Sequence, residues 1–321
     1  MFARLIAVAV SAVLLTAASC FADEPLRVYY LGNSVTDTVR YASLAELAQT
    51  REVKIEWGRQ MIPGAPLEWL YAHPDDGFTQ KPYGGWKQAL TEYEWDIVSL
   101  QPFDRHLYNK EKKGTVDDHG DVPLILKLSR LAAEKNPQVQ IYIYQRWPRM
   151  TKQGKGVQFD KNDYDPSKPG SGIDLAAIDS YSERWNAKYT GGWDTTNESR
   201  DYFQQLLGEV SKESGFLKKQ PLLIPVGDVM ANLDQQMQDG KIAGYRSVYQ
   251  LYKDGIHLNE TGSYLVGCTF FATFLRQSPE GLPTEPYGKI DPAMAKTIQQ
   301  TVWRVVSKHP HAGLEQSRDG E

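Results

Sequence analysis

The sequence predicts an α/β protein with a five-stranded, mostly parallel sheet covered by helices on both faces. Three observations predict it. Short β-rich runs alternate with amphipathic stretches along the whole chain, which is the order of a parallel sheet with crossover helices. The chain has 321 residues, enough for one large or two small domains, and shows no internal repeat. It is 41% hydrophobic and 24% charged, too apolar for a disordered protein and too charged for a multi-span membrane protein.

The elements come in this order. Residues 26–31 (LRVYYL) read as the first strand. Residues 38–49 place Val39, Ala42, Leu44, Ala45 and Leu47 at helical spacing. Residues 53–57 read as the second strand, 85–93 as a helix, and 96–100 (DIVSL) as the third strand. In 122–135, Leu124, Leu128, Leu131 and Ala132 share one helix face, and Asn136-Pro137 stops the helix because the residue before a proline is pushed out of the α region. Residues 139–144 read as the fourth strand and 222–226 (LLIPV) as the fifth, with Pro225 marking its end or an edge. Residues 262–275 and 292–306 close the domain as helices. Between the fourth and fifth strands, 151–172 reads as a long Gly/Pro/Asp/Lys-rich loop, followed by helical 174–189 and 199–212; together they read as an insertion at about 151–215.

Residues 1–22 carry a single charge, Arg4, ahead of an apolar run too short for a membrane span and the small residues Ala17, Ala18 and Ser19. This reads as a secretory leader cut near Ala22, giving an exported protein, periplasmic or extracellular, with no membrane span after processing. Cys20 offers a lipid-anchor reading, ranked lower because Ala17 stands where a lipobox usually carries Leu; an uncleaved anchor ranks last. The expected domain is 23–308, with a polar, unfolded tail at 309–321. The chain has two cysteines, too few for a disulfide framework, and Cys268 sits in an apolar helical stretch as a small buried hydrophobe. Lys+Arg is 36 and Asp+Glu is 40, so no basic surplus favours nucleic acid. Nothing in the sequence sets an oligomeric state.

Ligands of open parallel sheets bind beyond the carboxyl ends of the strands. The segments there are Gly32-Asn33-Ser34, the stretch from Gly58 to Ala65, Gln101-Pro102-Phe103-Asp104, and Gln145-Arg146-Trp147, joined late in the chain by Asp254-Gly255-Ile256-His257. One rim would then hold a hydroxyl, an imidazole, a carboxylate, a side-chain amide and glycine N–H groups, the parts of a serine hydrolase. Two roles fit Ser34: a nucleophile on a tight strand-to-helix turn, or a helix cap in Ser34-Val-Thr-Asp37. Asp254 and His257, three apart on a Gly-containing turn, can set a carboxylate under an imidazole; each also fits a turn or helix-entry role.

The set Gly32-Asn33-Ser34, Gly64, Gln101 and Asp254-x-x-His257 resembles the SGNH (GDSL-type) hydrolase superfamily, from the first strand to the last long apolar helix. The resemblance implies a three-layer α/β/α, flavodoxin-like fold and ester hydrolysis, often of acetyl groups on sugars. It implies a catalytic Ser34, His257 and Asp254, and an oxyanion hole from the N–H of Ser34, the N–H of Gly64 and the Gln101 amide. Two positions depart from the family pattern. Asn33 replaces the usual Asp, which is not a triad member, and Leu100-Gln101-Pro102 replaces a Gly-x-Asn block, Gln101 carrying the same amide on a longer stem. Gly64 is favoured over Gly58, which falls too near the strand end.

Asn33, Gln145, Arg146 and Trp147 are the expected substrate contacts, Trp147 stacking on a sugar ring and Arg146 holding hydroxyls or a carboxylate; a loop anchored by a buried Trp fits equally well. Trp185, Trp193 and Tyr189 read as local core ahead of a carbohydrate cleft. The stretch with Asp104, His106, Asp117, Asp118, His119 and Asp121 matches no metal-ligand spacing and reads as a solvated loop, so neither metal nor cofactor is expected. Gly32-x-Ser34 and Gly84-Gly85 lack the Gly-Lys-Ser/Thr of a phosphate loop. The resulting expectation is a secreted serine esterase acting on an acylated, first of all O-acetylated, carbohydrate. A lipase or thioesterase of the same mechanism and a non-hydrolytic carbohydrate-binding relative are the alternatives.

Overall fold

A computed structural model describes residues 24–108, 120–152, 155–156, 175, 178–192 and 194–314. The amino-terminal stretch with Cys20, the residues Asp117, Asp118, His119 and Trp193, and the end of the tail lie outside them.

Strands β1 (Leu26–Gly32), β2 (Ile55–Met61), β3 (Phe78–Thr79), β4 (Ile97–Leu100) and β5 (Gln140–Tyr144) are followed by a short hairpin, β6 (Thr151–Lys152) and β7 (Lys155–Gly156), and by β8 (Leu222–Ile224). The main sheet runs β3-β2-β1-β4-β5-β8. All its neighbours are parallel except β3, which pairs antiparallel with β2 at the edge. Without β3, the five parallel strands taken in chain order lie 2-1-3-4-5, the flavodoxin-like arrangement. The five expected strands are present and the two-residue edge strand is added; Phe78-Thr79 is too short to give a periodic signal.

The helices are α1 (Tyr41–Gln49), α2 (Leu67–Ala72), α3 (Trp86–Glu92), α4 (Asp121–Lys135), α5 (Tyr181–Trp185), α6 (Arg200–Glu213), α7 (Val226–Gln238), α8 (Glu260–Leu275) and α9 (Pro292–Val306). They form two layers: α2, α3 and α6 pack around α4, while α1 and α9 pack on α8 and α7 joins α9. Successive side chains of a strand face opposite layers. Tyr30 accordingly meets Tyr41 of α1 with ring centres 4.6 Å apart and Phe270 of α8 at 6.2 Å, while its neighbour Tyr29 meets Trp95 at 5.2 Å. Every residue of α8 from Gly262 to Phe274 is buried, as expected for a helix apolar all round. Cys268 lies there as a free thiol whose pKa burial pushes up to about 12, so it packs as a hydrophobe.

Several expectations change. The helix expected at 38–49 is broken by Arg40 at φ 51°, which separates a 3-10 turn, Thr36–Val39, from α1. Helix α6 packs on α4 as the layer helix between β5 and β8, so that part of the expected insertion belongs to the fold. Within 174–189, expected to be helical, α5 is the helix that forms among the described residues, capped by a Ser180–Glu183 box. Helix α7, with Val226, Val229, Met230, Leu233 and Met237 buried, follows directly on β8, where the sequence pattern predicts none. The tail does not end the fold at 308: Ala312 and Leu314 are buried, and the Leu223 N–H donates to the His311 carbonyl at 2.8 Å along the outer edge of β8. Among the described residues no helix is long and apolar enough to cross a membrane.

Candidate active site

Strand β1 runs out at Gly32, and the turn beyond it is held by hydrogen bonds to neighbouring segments. The Asn33 N–H donates to Gln101 Oε1 (3.0 Å), Asn33 Nδ2 donates to the Ala65 carbonyl (3.0 Å), and Asn33 Oδ1 accepts the Val35 N–H (3.0 Å). Gln101 Oε1 also accepts the Thr36 hydroxyl (2.8 Å), and its Nε2 donates to the Pro102 carbonyl (3.0 Å). This crowding requires glycine at 32: a Cβ there would lie 1.9 Å from Thr36 Oγ1 and 2.7 Å from Gln101 Oε1. The turn leaves Ser34 partly exposed between the buried Asn33 and Val35.

The second component comes from residues 252–258. The loop is closed by Lys253 N–H to the His257 carbonyl (2.9 Å) and Asn259 N–H to the Leu251 carbonyl (2.8 Å), and Asn259 then caps α8 through the Gly262 N–H (3.0 Å). Asp254 Oδ1 accepts the N–H groups of Ile256 (2.9 Å) and His257 (2.7 Å). Its Oδ2 lies 2.7 Å from His257 Nδ1, and His257 Nε2 lies 2.9 Å from Ser34 Oγ. Partial burial works to raise the Asp254 pKa, but the hydrogen bonds from the His257 ring and the two backbone N–H groups outweigh it and hold the carboxyl down to about 2. The carboxylate therefore accepts Nδ1–H, leaving Nε2 as the basic nitrogen facing the hydroxyl. Ser34 caps nothing: the 3-10 turn starts from Val35 without a side-chain cap.

Gly64 stands in the loop after β2, beside the end of β1, where the Ile62 N–H donates to the Gly32 carbonyl (3.3 Å). It has φ +69°, and a Cβ there would meet open space. Gly58 lies inside β2, where a Cβ would strike Trp95 and Tyr29 at 2.9 Å. Among the described residues, the N–H groups of Ser34 and Gly64 donate to no protein acceptor.

The expected substrate contacts are placed differently. Asn33, Gln145, Arg146 and Trp147 are all buried. Asn33 spends both ends of its amide on Ala65 and Val35. Trp147 is enclosed, and its Nε1 donates to the Ile256 carbonyl (2.7 Å), so it braces the His257 loop and offers no stacking face. Two further bonds fix the same junction, Met150 N–H to the Gly255 carbonyl (2.9 Å) and Tyr252 hydroxyl to the Pro148 carbonyl (2.8 Å). Arg146 lies over the Phe103 ring (4.6 Å) and donates to Asp104 (3.0 Å), Glu198 (3.2 Å) and the Trp147 carbonyl (3.0 Å). The Gln145 amide is enclosed with no protein partner among the described residues.

The sequence pattern gives no hint of Glu198. This fully buried carboxylate takes Arg146, Arg149 and Arg184 together with the Arg149 N–H (2.8 Å). Burial works to raise its pKa, and the three guanidinium groups overcome that and lower it. A single Glu in a polar stretch carries no signal of such a role. Of the stretch considered for a metal, Asp104 pairs with Arg146 and Arg149, His106 Nδ1 lies 3.3 Å from the Tyr189 hydroxyl, and Asp121 is buried against the Tyr202 hydroxyl.

Neither a protein-family model nor a curated protein matches the chain. Among solved structures it is similar to a DUF4886 family protein from Bacteroides uniformis, at 17% identity and a TM-score of 0.52, over 89% of this chain and 96% of that one. The periplasmic domain of a lipopolysaccharide acetyltransferase from Salmonella ser. Paratyphi A also aligns, at 10% identity and a TM-score of 0.38, over 79% and 83% of the two chains. A possible lipase from Chitinophaga pinensis aligns at 9% identity and a TM-score of 0.38, over 78% and 98%. The first of these supports the three-layer fold; the other two superpose too loosely to carry an argument.

Proposed function

We propose that the protein is an exported serine esterase that removes acyl groups, O-acetyl first among them, from carbohydrate. The observation that carries this reading is the unbroken chain from Ser34 Oγ to His257 Nε2 (2.9 Å) and from His257 Nδ1 to Asp254 Oδ2 (2.7 Å), closed by a serine and a histidine 223 positions apart. In the first step His257 Nε2 takes the Ser34 proton as Oγ bonds to the ester carbonyl carbon. The tetrahedral oxyanion sits against the N–H groups of Ser34 and Gly64; Gln101, expected as a third donor, is fully buried with its amide on Asn33, Thr36 and Pro102, so it holds the turn that presents the Ser34 N–H instead. Collapse breaks the carbon–oxygen bond to the sugar, whose alkoxide receives the proton from His257. Water then attacks the acyl-serine, His257 takes the water proton, and the carboxylic acid departs as the proton returns to Ser34.

The carbohydrate assignment is supported by Trp69. Trp69 is 52% exposed on α2, the helix that begins at Leu67 just after Gly64, and its ring is stacked on His73 at 4.0 Å. The test is acetate release from a panel of acetylated polysaccharides by wild type and Ser34→Ala, with a fluorophosphonate label mapped by mass spectrometry. Acetate release and labelling at Ser34 are expected, both lost in the variant. Retained hydrolysis in Ser34→Ala ends the reading, and glycan binding without hydrolysis or labelling replaces it by a non-catalytic binder.

A further inference from the structure

The cavity of about 350 Å³ lined by Asp104, Arg105, Arg149, Asp194, Thr195 and Glu198 has no part in the acyl-transfer steps, and its size is at the lower end of small-ligand pockets. Two chain segments lead from it toward the reacting groups. Asp104 is three residues beyond Gln101, which holds the Asn33 N–H next to Ser34. Arg149 precedes Met150, whose N–H is bound to the Gly255 carbonyl, two residues from His257.

Its chemistry is set by the atoms its side chains have left over. Asp104 Oδ1 takes both Arg146 and Arg149, and Oδ2 has no protein partner among the described residues. Arg149 spends Nε on Glu198 and Nη2 on Asp104, leaving Nη1 unpaired among the described residues. Both side chains are about one-third exposed, at 33% and 29%. The buried Glu198 and the Phe103 ring, 5.5 Å from the Arg149 guanidinium, hold the pair in place. One fixed acceptor thus stands beside one fixed donor.

We propose that this cavity is a specificity subsite for a neutral polyol, with one hydroxyl donating to Asp104 Oδ2 and its neighbour accepting from Arg149 Nη1. An anionic sugar is disfavoured at this point, because the atom left to meet it is a carboxylate oxygen of Asp104, with Asp194 a second acid in the lining. An acyl chain is disfavoured because the named walls are polar, and burying them under hydrocarbon would strand their hydrogen bonds. The donor and acceptor are already ordered, so little is spent on ordering them when the ligand enters. The assignment of this subsite to substrate recognition rests on the esterase reading; its ligand class does not.

Asp104→Asn tests it, since the change keeps the shape and an oxygen for the arginines while turning the free acceptor into a donor. On partially O-acetylated xylo-oligosaccharides, kcat/KM should fall about tenfold or more beyond any fall on p-nitrophenyl acetate, through KM. Arg149→Lys, which keeps the charge and loses the fork, should shift the same ratio in the same direction and serves if Asp104→Asn does not fold. Equal falls on the two esters, or no fall on either, overturn the subsite. Binding is read separately by NMR titration of Ser34→Ala with methyl β-glucoside and methyl β-glucuronide. The glucoside should bind and lose affinity in the Asp104→Asn background; preference for the glucuronide, or binding of neither, overturns the ligand class. If wild type cleaves neither ester, the esterase reading fails while this titration still decides the subsite.

Discussion

Replacing Asp254 by asparagine puts one donor where an acceptor stands, and the hydrogen bonds around it say which atom suffers. Asp254 Oδ1 accepts two backbone N–H groups and Oδ2 accepts the imidazole. Asparagine has one oxygen, and the two N–H groups of Ile256 and His257 will claim it. Its NH2 is then left against His257 Nδ1, which must accept, so the ring proton moves to Nε2 and faces Ser34 Oγ. A ring protonated at Nε2 cannot take the serine proton. Losing the charge-assisted bond to the imidazolium costs about 1.5–3 kcal/mol, or roughly 10–150-fold in rate. The tautomer inversion adds to this, and the serine-protease template loses roughly 10⁴ in kcat for the same change. We expect kcat for p-nitrophenyl acetate to fall roughly 10³–10⁴-fold at little change in KM, with the thermal transition close to wild type because the loop bonds to Oδ1 persist. A folded Asp254→Asn protein that keeps more than about a tenth of the wild-type kcat would refute the argument that this carboxylate sets the ring.

Glu198→Gln leaves three guanidinium groups facing a neutral amide in a buried site and should cost about 3–5 kcal/mol by urea unfolding at pH 7. The Glu198 pKa is lower in the folded than in the unfolded chain, so its stabilisation is complete above the unfolded value and fades as pH falls through the folded one; the gap between wild type and variant should narrow on acidification. Gly32→Ala forces a methyl group into Thr36 and Gln101 and should lower stability by about 1–3 kcal/mol together with kcat; an unchanged melting temperature would show that the strand end has slack. Trp147→Phe takes the donor from the Ile256 carbonyl, about 1–3 kcal/mol, and leaves a void where the second ring stood; it should depress kcat more than it raises KM if the His257 loop depends on that brace.

The parts of the candidate site that can be read from the chain are those governed by short-range rules. Asp254 and His257 lie within one turn, so a carboxylate bracing an imidazole is a local geometry. Ser34 ends a strand run, and parallel strands deliver their carboxyl ends to one rim whatever covers them. Trp147 and Arg146 are legible as rim residues and illegible in direction, because the loop of 252–258 and the buried Glu198 come from distant segments. Glu198 itself is indistinguishable in sequence from a solvated surface acid. Helix α7 escapes notice because Pro225 reads as the end of a strand, and the same residue opens a helix in the structure.

Side-chain shape and periodicity act along the chain, so they are enough to give the succession of strands and helices and the groups that stand at the strand ends. They cannot say that Ser34 meets His257, that Trp147 turns inward, or that Asp104 and Arg149 each keep an atom unpaired among the described residues. Those outcomes belong to packing, because hydrogen-bond capacity is shared among neighbours in space. Which atom of a side chain is spent and which is left for a ligand is settled only when segments far apart in the chain are brought together.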